Sequence, residues 1–166
     1  MTGFGGVYLW QGLFYNLANF DEDLSGWDTG SVTDTRSMFF SATSFDNGAQ
    51  PLALDTRSVT DMSYMFREAI AFNQPLAFDV SSVTSMVNMF YGATSFDQPL
   101  TWDVSSVISS VASHGMRFMF DEARDGPAGP SVPTALSDCN KRAIHDSLSA
   151  STAWPYNWSS FPLCTG

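Results

Sequence analysis

Charged side chains are scarce in this sequence, and positive charge is the scarcest of all. They make up 14% of the 166 residues, against about 25% in an average soluble domain. The formal net charge is -10, with 7 Lys and Arg against 17 Asp and Glu. A nucleic-acid ligand is therefore not expected, because cationic side chains must replace the counterions of the phosphates. An anionic membrane surface is disfavoured for the same reason.

The sequence also has no run of about twenty apolar residues, the length that a membrane-spanning helix needs. No insertion into a membrane is therefore expected. Residues 1–6 have neither the basic region nor the apolar region of a secretion signal.

Residues with catalytic chemistry are equally rare. The two histidines are His114 and His145. His145 is interpreted as a solvated helix residue. Its neighbour Asp146 does not share its helix face, so the two side chains are not expected to act as a pair. No nucleophile elbow, metal-ligand spacing or phosphate-binding Gly loop is present. We therefore expect no catalytic residue, no cofactor and no enzyme activity.

What the chain does have is an internal repeat, with a Val that recurs about every 25 residues, the kind of period that marks stacked structural repeats. The Val positions are Val7, Val32, Val59, Val83 and Val107. In the first four copies one Phe follows seven residues later, at Phe14, Phe39, Phe66 and Phe90, and a second Phe six residues after that, at Phe20, Phe45, Phe72 and Phe96. In the fifth copy the equivalent Phe120 is delayed by an insertion. Phe39, Phe66 and Phe90 are predicted to form a continuous internal row.

Each copy divides into two kinds of pattern. Apolar residues follow the Val at the spacing of one helical face, which predicts a short helix or helical turn. In the fourth copy they are Met86, Met89, Phe90 and Ala93. The preceding segment alternates apolar and polar residues, as in Leu100, Trp102 and Val104, which predicts a short strand. The predicted fold class is therefore an α/β repeat.

The repeat Leu-x-Trp-Asp-Val-Ser-Ser-Val-Thr-x-Met-x-x-Met-Phe-x-x-Ala-x-x-Phe-x-Gln-Pro resembles that of the BspA-like leucine-rich-repeat surface proteins, over residues of roughly 7 to 126. The resemblance implies a leucine-rich-repeat-like solenoid of about four to five coils. It also implies an extracellular or cell-surface location and a role in adhesion or protein binding, with no single activity. Thr35, Ile108 and Ser110 depart from the pattern.

The chain is predicted to have three parts. Residues 1–126 form the repeat, 127–135 a Gly/Pro linker that holds neither helix nor strand, and 136–166 a C-terminal cap of one amphipathic helix and bulky rings. The repeat starts in the middle of a coil, and stacked repeats need capped ends. We expect this chain to be a piece of a longer polypeptide or to have its open N-terminal coil covered by a protein partner; the alternative is an aromatic lid of Tyr8 and Trp10.

Both cysteines, Cys139 and Cys164, fall in the predicted cap. A disulfide between them would stabilise the fold by about 3 kcal/mol in the chain-entropy account and would suit an oxidising compartment. The alternative is two free thiols in a cytosolic protein. Asn157 begins a glycosylation triplet, Asn-Trp-Ser, which is a candidate modification site.

The candidate binding surface lies on the outward positions of the predicted strands. It consists of Asp28, Asp55, Asp79 and Asp103 with the neighbouring Ala77 and Thr101. Adjacent strands lie about 4.8 Å apart, so the carboxylates would repel unless each is engaged. Each Asp either accepts hydrogen bonds from the turn that follows it, or the column binds a cation or a basic partner. One straight column gives calcium too few of its six to eight oxygens, so no dedicated metal site is predicted.

The leading functional prediction is a non-enzymatic protein-interaction or adhesion module, or a structural component of a larger assembly, outside the cell or in an oxidising lumen. The alternative is a carbohydrate- or cation-binding surface protein that uses the Asp column and the aromatic cap.

Overall fold

A computed structural model of the chain describes residues 8–105, 107, 115–116, 119–120, 136–149, 151 and 158–162. Strands β1 (Tyr8–Leu9) and β2 (Val32–Asp34) pair in parallel as a two-stranded sheet. A 3-10 helix covers Asn47–Ala49, and helix α1 covers Asp138–Leu148. Single parallel bridges continue from Asp34 to Asp61 and from Asp61 to Ser85. The predicted linker, 127–135, lies outside the described residues.

The prediction of an α/β leucine-rich-repeat-like solenoid is wrong. The strand-plus-helix unit does not recur, because in the described residues the regular elements are only the two short strands, the 3-10 helix and α1. The segments predicted as helices, such as 86–93, are chains of turns, and the segments predicted as strands, 76–80 and 100–104, pair with no neighbouring strand there.

Backbone conformation explains why the helical half does not form a helix. Each of the first four copies places two residues, four positions apart, at positive φ, where an α-helix cannot continue. The pairs are Gly12 and Asn16, Ser37 and Ser41, Tyr64 and Glu68, and Asn88 and Gly92. The φ angles are 53° at Ser37 and 52° at Ser41. The apolar spacing is therefore met by successive turns.

These turns direct alternate N–H groups to different partners. In the second copy the N–H groups of Met38 and Phe40 donate within the same copy, to the carbonyls of Thr35 and Ser37, at 3.1 Å each. The N–H group of Phe39, between them, donates to Met65 in the third copy at 2.9 Å. Successive copies are thus joined by a regular series of backbone hydrogen bonds.

The core consists of two parallel rows of phenylalanine rings, as the sequence predicts for the first Phe of each copy. Rings of that row lie 5.4 Å apart from Phe39 to Phe66 and 5.5 Å from Phe66 to Phe90, between centroids. The second row, from Phe45 to Phe72, has a spacing of 5.7 Å. Methionines with no exposed surface belong to the same core; they are Met38, Met62, Met65, Met86, Met89, Met116 and Met119.

The predicted inward and outward alternation is present in the segments that lack strands. Leu76, Phe78 and Val80 are buried while Ala77 and Asp79 are exposed. Side chains replace the missing strand pairing between copies. The ring of Phe78 stacks on that of Trp102 at 6.1 Å, and the Trp102 indole N–H donates to the Leu76 carbonyl at 3.2 Å.

Helix α1 packs against the C-terminal copies. Ser137 begins it as the N-cap, with its hydroxyl accepting from the Asn140 N–H at 3.2 Å. Ile144 and Leu148 face inward and belong to the same buried cluster as the Phe rows. Trp158 lies 5.6 Å from the Phe120 ring, so aromatic packing continues beyond the last described repeat.

Candidate functional site

The four aspartates of the predicted column are each held by the turn that follows. The carboxylate of Asp79 accepts the Ser81 N–H at 3.0 Å and the Ser81 hydroxyl at 2.6 Å. Asp103 accepts the N–H of Ser105 at 3.0 Å. Equivalent bonds to the N–H two residues later are made by Asp28 at 3.4 Å and by Asp55 at 3.3 Å. The turn geometry therefore accounts for an aspartate at this position in every copy.

These bonds also favour the ionised carboxylates. Hydrogen bonds from the Arg57 and Ser81 side chains lower the pKa of Asp55 and Asp79, respectively, and the Ser105 N–H lowers the pKa of Asp103. Arg57 Nη2 lies 2.6 Å from Asp55 Oδ2. The column is therefore anionic at neutral pH, with one of its charges paired to an arginine.

The surroundings of the column are open. Ala77 and Thr101 are exposed, as are Asp28, Asp79 and Asp103, and Asp55 is partly exposed. Among the residues that the structure describes, no group of three or more His, Cys, Asp or Glu is placed to hold a metal ion. The surface offers separate carboxylates, each engaged in its own turn.

A second polar column, which the sequence analysis missed, connects the copies to α1. It occupies the position directly after the second Phe of each copy: Asp21, Asp46, Asn73 and Asp97. Each side chain accepts the backbone N–H of the next member, at 2.7 Å for Asp21 to Asp46 and 2.8 Å for the next two. The sequence did carry a signal for this column, because the residue directly after the second Phe is Asp or Asn in each of the first four copies.

The last member of this column binds the start of α1. Asp97 Oδ1 accepts the Ser137 N–H at 2.8 Å and the Asn140 side-chain amide at 2.8 Å. The Asp97 carbonyl accepts the same amide at 2.8 Å. One side chain therefore fixes the N-cap of α1 against the fourth copy.

The first copy carries most of the exposed apolar surface. In the described residues, large hydrophobic side chains are exposed at Leu9, Leu13, Tyr15, Leu17, Trp27 and Ile70, and five of these six precede residue 28. The counterparts of Leu13 and Leu17 in the second copy, Met38 and Ala42, have no exposed surface.

Of the two rings in the predicted aromatic lid, Tyr8 and Trp10, the structure describes that of Trp10. The Trp10 ring meets that of Trp27 edge to face at 5.5 Å, and Trp27 lies 5.9 Å from Phe14. These contacts leave Phe14 only 7% exposed. They do not reach the leucines, so the rings shelter the Phe row and leave the aliphatic surface open. The side chain of Tyr8 lies outside the described residues.

The comparison with known families assigns the chain to a family. Residues 8–126 match the family model described as "Mycoplasma protein of unknown function, DUF285". The chain belongs to the DUF285 family. The match spans the region that the internal repeat marks out, and the family description assigns no activity. No curated protein and no solved structure matches the chain.

Three predictions for this DUF285 chain reach beyond the described part. Cys139 lies in the first turn of α1, but Cys164 lies outside the described residues, so the disulfide stays a prediction. Asn157 and His114 also lie outside them.

None of the described helices is long and apolar enough to cross a membrane.

The stability of this DUF285 chain should depend on pH through the aspartate column. Asp55, Asp79 and Asp103 have folded pKa values below the ordinary 3.8. A depressed folded pKa stabilises the fold above the unfolded pKa, and this stabilisation is lost as the pH falls through the folded values. We expect the urea midpoint to fall between about pH 5 and pH 2, and to fall less in a variant with all three changed to Asn.

The control for this measurement is Glu22→Gln, which removes one exposed negative charge that makes no hydrogen bond in the described part of the chain. It should leave the pH profile close to that of the parent chain. An identical acid loss in the parent and in the triple Asn variant would contradict a stabilising role for the column.

Proposed function

We propose that this chain is a non-enzymatic protein-interaction or adhesion module of the BspA-like surface-protein type, working outside the cell or at its surface. The observation that carries the proposal is the apolar surface of the first copy, with Leu9, Leu13 and Leu17 exposed by 64%, 45% and 49%. Contiguous exposed apolar patches mark interaction sites. The BspA-like resemblance and the DUF285 match cover nearly the same residues, which supports a common role.

A protein partner fits this surface better than a sugar. The exposed side chains are mainly aliphatic, and aliphatic surface gains free energy when a partner removes it from water. Sugars bind on the free faces of aromatic rings. Among the described residues, the exposed Tyr15 ring already stacks on Phe40, with 4.8 Å between centroids, and the exposed Trp27 ring already contacts Trp10 and Phe14. Protein binding is therefore the leading proposal.

The aspartate column supports a second candidate, which is binding of a cation or of a basic partner surface. Its support is the ionised state of Asp79 and Asp103 and their exposure to solvent. Because each carboxylate already accepts a hydrogen bond from its own turn, a cation would have to compete with that bond.

Photo-crosslinking distinguishes these candidates. A photoreactive residue replaces Leu13 in one variant and Ile70 in a matched control, since Ile70 is similarly exposed at 48% but lies in the third copy. Both variants are incubated with intact cell-surface proteins, and the products are identified by mass spectrometry. We expect protein crosslinks at position 13 at several times the yield at position 70.

Equal yields at both positions would contradict a protein site on the first copy. A calcium titration and a glycan array test the alternative with the same chain. Saturable binding of either ligand that disappears in Asp79→Asn/Asp103→Asn, with no enrichment of crosslinks at position 13, would favour the second candidate.

A further inference from the structure

The backbone hydrogen bonds that join the positive-φ turns of the first four copies all have the same direction. Gly12, Phe14 and Asn16 donate their N–H groups to the carbonyls of Arg36, Met38 and Phe40, at 2.9, 2.9 and 2.8 Å. The same three positions of the second copy donate to the third copy at 3.0, 2.9 and 2.8 Å, and those of the third to the fourth at 2.9, 2.9 and 2.7 Å. At these turn positions each copy thus presents donors to the copy after it and acceptors to the copy before it, whereas Thr60 and Thr84 donate in the opposite direction, to Thr33 and Thr60.

In the described residues, the first copy therefore has a row of acceptors to which no group donates. The carbonyls of Gln11, Leu13 and Tyr15 are the counterparts of those of Arg36, Met38 and Phe40, and no group in the described residues donates to them. They occur at every second residue, so they have the spacing of a complete junction. We call the backbone of residues 11–15, with these three carbonyls, the acceptor edge.

The side chains at the acceptor edge are also more exposed than their counterparts in the later copies. Leu13 is 45% exposed, whereas its counterparts Met38, Met65 and Met89 are fully buried. Among the described rings, Tyr15 stacks on Phe40. This outer row continues through Arg67, whose guanidinium carbon lies 5.2 Å from the Phe40 centroid and 4.3 Å from that of Tyr91. A partner at this edge would extend two rows at once. One is the apolar row that begins at Leu13, and the other is the row of rings and arginine that begins at Tyr15.

The direction of the hydrogen bonds determines which partner fits. A second copy of the chain placed symmetrically, first copy against first copy, would bring carbonyl oxygens against carbonyl oxygens and leave these acceptors unsatisfied. The partner must instead offer N–H groups at every second residue, as the turns with positive φ at Ser37 and Ser41 do within this chain. Addition of a backbone edge to a backbone edge is an established mode of peptide recognition.

We propose that the acceptor edge binds the donor side of another repeat of this same type, with N–H groups placed like those of Tyr64, Phe66 and Glu68, an apolar side chain over Leu13, and an aromatic or arginine side chain over Tyr15. This inference rests on the proposed function, because it names the class of protein that the first copy recognises. The backbone hydrogen bonds would set the register of the partner along the acceptor edge. Burial of the apolar side chains at Leu13 would add the hydrophobic contribution to binding.

The test uses the full chain and a synthetic peptide with the sequence of residues 57–76, the third copy. A second peptide carries N-methyl groups at the amides of Tyr64, Phe66 and Glu68, which removes the three donors. A third is methylated at Thr60, whose N–H points to the opposite neighbour and donates to Thr33 in the intact chain. Binding is followed by the carbonyl carbon-13 shifts of Gln11, Leu13 and Tyr15.

We expect the unmodified and the Thr60-methylated peptides to bind with similar affinity, and the triply methylated peptide to bind at least about tenfold more weakly, since three net hydrogen bonds are lost. The three carbonyl shifts should move on binding. The carbonyls of Gly12 and Phe14 should not, because they already accept bonds within the first copy.

Failure of the unmodified peptide to bind at millimolar concentration, equal affinity of the methylated peptides, or binding that leaves the three carbonyl shifts unchanged would each overturn the inference. So would a symmetric dimer of the free chain with these carbonyls already shifted. Crosslinks at position 13 together with an unbound peptide would leave the protein-interaction function standing and reject this partner.

Discussion

Phe66→Ala should lower the free energy of unfolding by about 3 to 5 kcal/mol, the usual cost of truncating a buried phenylalanine. Phe66 is fully buried, and its ring lies 4.1 Å from Phe72 as well as within stacking distance of Phe39 and Phe90. The cavity would open between three copies at once, and aromatic contacts would be lost on both faces of the ring. Urea unfolding followed by circular dichroism measures the change.

Two further variants make this experiment decisive. Phe66→Leu keeps most of the volume but removes the stacking, so it should cost clearly less than the alanine change, and it remains measurable if Phe66→Ala fails to fold. Ile70→Ala truncates an exposed residue of the same copy and should change stability by about 0.5 kcal/mol or less. A loss at Phe66 no larger than that at Ile70 would show that the ring row is not the main source of stability.

Asp97→Ala should cost about 2 to 3 kcal/mol and should loosen α1 in particular. The substitution removes a charged acceptor from the Ser137 N–H and from the Asn140 amide, and hydrogen bonds to charged groups are each worth about 1.5 to 3 kcal/mol. The unpaired Ser137 N–H belongs to the N-cap of α1, so hydrogen exchange along α1 should accelerate more than exchange in the second copy. Urea unfolding and hydrogen-exchange mass spectrometry measure the two effects.

The chain itself supplies the matched control for Asp97. Asn73 fills the equivalent place in the third copy and accepts the Asp97 N–H through its side-chain oxygen at 2.8 Å. Asp97→Asn should therefore keep the acceptor and lose much less stability than Asp97→Ala. Equal losses for the two variants, or unchanged exchange in α1, would mean that the polar column does not hold this helix in place.

The internal row of Phe rings could be predicted from the sequence, because the constant spacing from Val to Phe places a Phe at the same position of successive copies. The local structure could not, because a chain of turns and an α-helix both place apolar residues about three positions apart, as at Met86 and Met89. The positive-φ positions would have distinguished them. Gly12, Asn16, Asn88 and Gly92 suit positive φ, but the other copies carry Ser37, Ser41, Tyr64 and Glu68 there, which hide the signal.

The candidate site was partly visible for a similar reason. An aspartate with two serines beginning two residues later is a local sequence pattern typical of a turn in which the carboxylate accepts the N–H two residues later. Hydrogen bonding within the turn could therefore be predicted for Asp79 and Asp103. The column through Asp46 and Asp97 joins residues more than twenty positions apart, and no local pattern reports such a contact. The acceptor edge was also invisible, because it depends on the direction in which each N–H points.

The fully buried methionines of the second, third and fourth copies have a chemical consequence. A methionine sulfur is oxidised readily when solvent reaches it, and the sulfoxide is polar. Met38, Met62, Met65, Met86 and Met89 can meet an oxidant only when neighbouring copies separate, and a sulfoxide formed at that moment would have to lose its hydration to return among the rings. Each oxidative event would therefore hold open the junction that admitted it, so peroxide would convert a brief opening into lasting damage.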